Sequence, residues 1–409
     1  MKRGISIQDL SVQLKSQANM QKDFVSPTQR LSLSMREELA PIETDSSVLD
    51  QLLSKIATNP NGVPVVADAQ PVQATADDPA IHLSPHLVVD EVGVLKPNKI
   101  FHEQLAAKLQ IPSQYYNRMY HRQPELLIDT ANTWLHEKTV KNNMQVPMHG
   151  DRLVRSIGNT ARAFLSNRYR VLDHLPLMMS VIGLLDEMDV APEHIVSCNV
   201  TDSKLYLKVL TPKLKGEVEK GDIVQGGLVV TNSEVGKGSV SVQPLIFRLS
   251  CLNGAVMQDA GMRQHHLGSI LRDQASDGAW QMLTTETKQK ADDAFFSSVQ
   301  DVIRGTLNDE VFGLQLEKMK AANKDEVKEY IPASVEMLSK SYSLNEAESS
   351  NVLDNFITGN NHTRWGMANA VTLASQKVDS YDRASELERV GGKILEMPAT
   401  TWEQIASAE

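Results

Sequence analysis

Apolar residues change their spacing twice along this chain, and the changes divide it. Over residues 1–56, amphipathic helix signals are mixed with polar turns, so a helical or irregular N-terminal segment is expected. Residues 57–80 (ATNPNGVPVVADAQPVQATADDPA) are rich in Ala, Pro and Asp without a period, the signature of an exposed linker. A mixed α/β core domain is expected over 81–260, a helical domain over 261–396 and a tail over 397–409.

Within the core domain, KIFHEQLAAKL sets Phe101, Leu105, Ala106 and Leu109 on one helical face and stops before Pro112. Ser113 is expected to cap a second helix, SQYYNRMYHR. A third, PELLIDTANTWLHEK, begins with Pro124 in its first turn. Three short helices resemble a helix-turn-helix in outline, an outline also common in packed cores. LVRSI and TARAFLS then read as strands joined at Gly158-Asn159. DHLPLMMSVIGLLDEM reads as a helix capped by Asp173, with Leu177, Val181, Leu184 and Leu185 on one face. HIVSCNV pairs with KLYLKVL, and GGLVVTN with SVSVQPLIFRLSC, where Pro244 points to a sheet edge or a bulge.

From His265 the spacing becomes three and four residues. KADDAFFSSVQDVI, LNDEVFGLQLEKMKAAN, ASVEMLSKSY, RWGMANAVTLASQKV and YDRASELERVGGKIL all read as helices. Gly391-Gly392 is expected to stop or hinge the last of them. The fold class is α+β: antiparallel hairpins with short helices in the central region, then a mostly helical C-terminal region.

Composition narrows the function classes. The chain is 41% apolar and 22% charged over 409 residues, an ordinary globular balance. It has no run of about 18 apolar residues, so no membrane partner is expected. The start, MKRGISIQDL, lacks a secretory pattern, and two cysteines cannot build a disulfide framework; both fit a cytoplasmic setting. A net charge of −10 excludes a protein that coats polyanions with its whole surface. Contact with nucleic acid must come from a local patch.

Asp151–Arg170 (DRLVRSIGNTARAFLSNRYR) supplies the strongest such patch, with Arg152, Arg155, Arg162, Arg168 and Arg170 against one acid. Pairing about Gly158-Asn159 sets Arg155 opposite Arg162, where like charges destabilise a ladder. Such a pair needs carboxylates from elsewhere or a bound anion, and arginine forks suit phosphate oxygens. Phe164 and Tyr169 add aromatic faces, and arginine beside aromatics is the chemistry of single-strand binding.

The loop Asn232-Ser233-Glu234-Val235-Gly236-Lys237-Gly238-Ser239 offers a possible anion nest or a plain hairpin loop; it lacks the P-loop order. Cys251-Leu252-Asn253-Gly254 and the nearby His266 invite a nucleophile reading, set against a buried cysteine at a strand end. Asn232, Ser233, Gly236, Cys251, Asn253 and His266 therefore form a secondary candidate site. No zinc spacing or His-Glu-x-x-His motif occurs, so neither metal nor cofactor is expected, and no catalytic residue is assigned.

IPSQYYNRM, RAFLSNRYRVLD, TNSEVGKGSVSV, FRLSCLNGAV, HHLG and WGMANAVT, in that order, resemble the family filed as domain of unknown function 932, over about residues 95–395. Its motifs fall on the hairpin, the glycine loop, Cys251, Asn253, Gly254, His266, Trp365, Asn369 and Thr372. The resemblance implies a phage- or plasmid-borne protein acting in a bacterial cytoplasm. The expected function is single-stranded DNA binding, annealing or protection in replication or recombination, through Arg152, Arg155, Arg162, Phe164, Arg168, Tyr169, Arg170 and Lys237. A homo-oligomer is a candidate assembly. An interaction protein aimed at a host factor, or an enzyme on a phosphate-bearing substrate, are the alternatives.

Overall fold

A computed structural model describes residues 1–38, 82–90, 92–141, 144–258, 262–264, 285–328 and 330–408. The expected linker over 57–80 and His266 lie outside them. The fold is α+β, and contacts divide the chain into two units. One comprises Met1–Phe24, Leu153–Gly158 and Arg162–Glu409; the other comprises Val25–Arg152 and Asn159–Ala161. The N-terminal segment holds a helix, α1 (Ile7–Met20), but also two strands that were not expected, β1 (Gln21–Pro27) and β2 (Leu31–Glu38).

In the second unit, β2 pairs antiparallel with β3 (His82–Val89), and β3 with β4 (Gly93–Pro97). Three helices follow: α2 (Lys99–Lys108), α3 (Ser113–Arg122) and α4 (Pro124–Leu135). Asn98, not a residue inside the run, caps α2 by accepting from the Phe101 N–H. Ser113 is the first residue of α3 rather than its cap, and that position, Pro112, makes no side-chain bond. Asn132 of α4 bonds both the N–H and the carbonyl of Leu33, acting as one more rung beside β2. These helices pack; Phe101, Leu105, Tyr116, Leu127 and Ala131 are buried. A short hairpin, β5 (Lys138–Lys141) with β6 (Met144–Pro147), completes this region. Next come β7 (Asp151–Ile157) and β8 (Thr160–Ser166), the expected hairpin.

The first unit is built on a sheet of β9 (Ile195–Val200), β10 (Leu205–Glu217), β11 (Ile223–Asn232), β12 (Val240–Arg248) and β13 (Asn253–Val256). These strands are in order, with β14 (Met262–Gln264) beside β12. Pro244 is not at the sheet edge. It sits in the gap between β14, which pairs Val240–Val242, and β13, which pairs Leu245–Arg248, where a missing N–H breaks no ladder.

Ahead of the sheet lies α5 (His174–Glu187); after it come α6 (Thr285–Thr306), α7 (Asp309–Ala322), α8 (Ile331–Ser341), α9 (Glu346–Thr358), α10 (Arg364–Ala374), α11 (Tyr381–Glu396) and α12 (Ala399–Ala406). Two cores share one sheet face. Leu228 and Val230 of β11 with Val240 and Val242 of β12 pack on α1, α5 and α6. Val224 and Ile246, at the same strand parity, pack on α7–α12 at the other end. The expected tail is a helix instead, burying Trp402 and Ile405. Gly391 and Gly392 neither stop nor hinge α11: a Cβ on Gly392 would stand 1.9 Å from the Val256 carbonyl of β13, and one on Gly391 2.2 Å from Thr372 Cγ2 of α10, so the glycines let the helix lie close to both.

Candidate functional site

The hairpin and the glycine loop form one buried network. Gly158, at φ 53°, supplies the left-handed residue that a two-residue turn needs. Arg155 is fully buried. Its Nε donates to Asp23 at 3.0 Å, its Nη2 to Asp173 and its Nη1 to the Glu234 carbonyl at 2.9 Å. Arg162 Nη2 donates to Glu234 Oε2 at 2.7 Å. The other Glu234 oxygen accepts from the His174 backbone N–H at 2.6 Å, in the first turn of α5. Asp173 occupies the N-cap of α5 but makes no side-chain cap bond, because its carboxylate is spent on Arg155; Glu234 takes over an N-terminal donor.

The expectation of two under-neutralised guanidiniums is not met. Three carboxylates face Arg155 and Arg162, and two arrive from far along the chain: Asp23 is 132 residues from Arg155, and Glu234 is 72 from Arg162, whereas Asp173 is 18 from Arg155. Burial pulls the Arg155 pKa down, but Asp173, Asp23 and Glu234 more than reverse it. Burial pushes Glu234 up, yet His174, Arg162 and Arg155 outweigh it and hold the carboxyl at about 2. Burial also holds the His174 imidazole down at about 4, so it is neutral near pH 7.

The other hairpin candidates disperse. Phe164 is buried, and Tyr169 is half-buried with its hydroxyl donating to the Ser233 carbonyl at 2.8 Å. Arg170 donates to Asp292 at 2.6 Å, and its guanidinium lies 5.2 Å from the Phe295 ring centroid. Arg152 donates to the His149 carbonyl at 2.7 Å. Arg168 is exposed.

Most of the secondary candidates are structural. Asn232, fully buried, ties β11 to the Leu172 carbonyl and to His174. Asn253 reaches across from β13 to Asn369 at 2.9 Å and to Thr372, joining three motif residues in one buried polar contact with α10. Trp365 Nε1 donates to Asp222, which also holds Arg248. Cys251 is half-buried, with Arg248 Nη1 3.5 Å from its sulfur. Gly236 takes φ 72° in the loop.

Ser233 does more. Its hydroxyl accepts from the Lys237 backbone N–H at 2.9 Å and donates to the Ser203 carbonyl at 2.7 Å. It thereby ties two lysine-bearing turns together, the loop with Lys237 and the β9–β10 turn with Lys204. Gly238 leaves room for this: a Cβ there would meet Lys204 Cε at 2.9 Å.

Both lysines line a cavity of about 780 Å³. One face of α11 forms a wall, with Asp382, Glu386, Arg389 and Lys393 at i, i+4, i+7 and i+11. Tyr342, flanked by Ser341 and Ser343 at the end of α8, forms another part. Five basic residues line the cavity against two acids. Arg383 is held by Glu348 at 2.7 Å and Glu386 at 2.6 Å, and Asp382 accepts from Thr201 and Ser203. Below the wall, Lys208 and Glu388 form a fully buried ion pair at 2.6 Å that pins α11 to β10.

A family model, Domain of unknown function (DUF932), matches residues 163–390, more than half of the chain. The protein belongs to this family. No curated protein and no solved structure matches it. The family region contains the cavity lining except Lys393, whereas Arg155 and Asp23 lie outside it. Among the described residues, no helix is long and apolar enough to cross a membrane, and no three His, Cys, Asp or Glu side chains are grouped to hold a metal. Of the expected site residues that are described, only Lys237 lines the cavity, and the buried Ser233 tethers its loop. Lys204, Arg389, Lys393 and Tyr342 were missed. The stripe on α11 is present in the sequence, but charges at that spacing are common on any solvated helix face.

Proposed function

We propose that the protein binds single-stranded nucleic acid in the α11 cavity, with backbone phosphates on Lys204, Lys237, Arg389 and Lys393. One observation carries this reading: basic side chains from two strand turns and a helix converge on one concave, polar space in a protein of net charge −10. Annealing or protecting a strand fits such a role, and the phage or plasmid setting follows only from the family resemblance.

The size of the cavity favours a second reading. About 780 Å³ is within the range of small-ligand sites, so a phosphate-bearing small molecule is the alternative occupant.

Fluorescence anisotropy with labelled oligo-dT, oligo-U and duplex DNA at two salt concentrations tests both. Lys237→Ala combined with Lys393→Ala should weaken single-strand binding by about tenfold and reduce the salt slope by about two. Equal affinity in the double variant would remove the cavity from the account. Displacement of the strand by a mononucleotide at micromolar concentration would favour the small-molecule reading.

A further inference from the structure

We infer that Tyr342 is a stacking surface for an unpaired base, which makes the ligand of the cavity a single strand rather than a duplex or a bare polyphosphate; this rests on the nucleic-acid reading above. Tyr342 is the aromatic residue of the cavity lining, and the chain around it is shaped to hold it there. It ends α8 as the C-cap, its N–H donating to the Leu338 carbonyl, and Ser343 turns the chain away at φ 52°. One side of the residue packs on the C-terminal core, which leaves the ring half-buried rather than loose. Burial raises the phenol pKa, so the ring stays neutral across the physiological range.

A ring already immobilised on one side loses little freedom when a base covers the other. The charges are also placed for it. Lys393 Nζ lies over the ring, 6.0 Å from its centroid, so a stacking base takes its place on that face and leaves the ammonium to a flanking phosphate; Lys204 and Lys237 line the same space. A base on the ring would therefore have cations near its flanking phosphates, the combination that single-strand binders use. Stacking needs an exposed base face, which a duplex interior withholds. Of the hairpin aromatics, Phe164 is buried and Tyr169 is tied to the glycine loop through the Ser233 carbonyl.

The test compares labelled oligo-dT with an abasic strand of the same length, at two salt concentrations, for the wild type, Tyr342→Phe and Tyr342→Leu. Leucine keeps the apolar contact with the core and lacks a π face, and a thermal melt of each variant checks folding. The wild type and Tyr342→Phe should bind oligo-dT about tenfold more tightly than the abasic strand. Tyr342→Leu should bind the two strands equally, with an unchanged salt slope because the phosphate contacts persist. A preference for oligo-dT that survives in Tyr342→Leu, or a wild type that binds both strands equally, overturns the stacking role alone. A wild type that binds neither strand overturns the cavity reading and this inference together.

Discussion

Glu234 and Lys237 stand three residues apart on one loop and serve two basic clusters in opposite ways. Glu234 turns inward, where its side chain takes Arg162 and the first turn of α5 and its carbonyl takes Arg155. Lys237 turns outward into the cavity that Lys204 and α11 also line. In the hairpin, Arg155 and Arg162 are matched to carboxylates, and Arg155 is shut away from water; such a cluster fixes the fold. At the cavity, five basic and two acidic residues line an open space that a ligand can enter. The density of arginine along the sequence is thus a poor guide to where charge is available. What decides is whether the fold delivers carboxylates to the same place.

This contrast breaks most visibly at Arg155. Replacing it with Ala leaves Asp23 and Asp173 without their shared cation, and losing one member of a buried pair costs on the order of 3–5 kcal/mol. Urea unfolding should show a loss of that size. A variant that melts like the wild type would mean that the hairpin arginines are not a structural lock.

Acid should attack the same network next. The His174 imidazole titrates at about 4 in the folded chain against 6.5 when unfolded. Its contribution is complete above pH 6.5 and is lost as pH falls toward 4. Glu234, at about 2 against 4.5, adds a further loss from pH 4.5 down toward 2. Asp23, raised above 3.8 chiefly by burial, offsets part of this. Urea midpoints measured from pH 7 to pH 3 should fall steadily, and a flat profile would contradict the network.

The smallest stability effect belongs to the cavity. Lys237 and Lys393 are exposed, so replacing both with Ala should change stability by no more than about 0.5 kcal/mol while strand affinity falls. A large destabilisation there would sink the distinction between the two clusters.

Much of the fold was legible in the sequence because local rules governed it. The Gly158-Asn159 turn, the three hairpins and the long C-terminal helices all follow from side-chain period and turn chemistry. The errors arose where tertiary contact overrides local preference. Gly391-Gly392 looks like a helix end, but the nearby Val256 carbonyl makes it a packing notch. Asp173 looks like a helix cap, but Arg155 claims its carboxylate.

The sites show the same limit more sharply. Asp151–Arg170 carries its five arginines in plain view, yet Asp23 and Glu234 come from distant parts of the chain. The cavity gathers Lys204, Lys237, Tyr342 and Lys393 from four separate segments, none of which is unusual alone. Only Lys237 had a local signal, the flanking glycines, and that signal concerned the loop rather than its neighbours.

The most direct measurement is photo-crosslinking of an oligo-dT strand carrying 5-iodouracil, followed by mass spectrometry of the attached peptides. The account predicts crosslinks on the segments around Lys237, Tyr342 and Arg389–Lys393. Crosslinks confined to Asp151–Arg170 would contradict it and return the nucleic-acid contact to the hairpin.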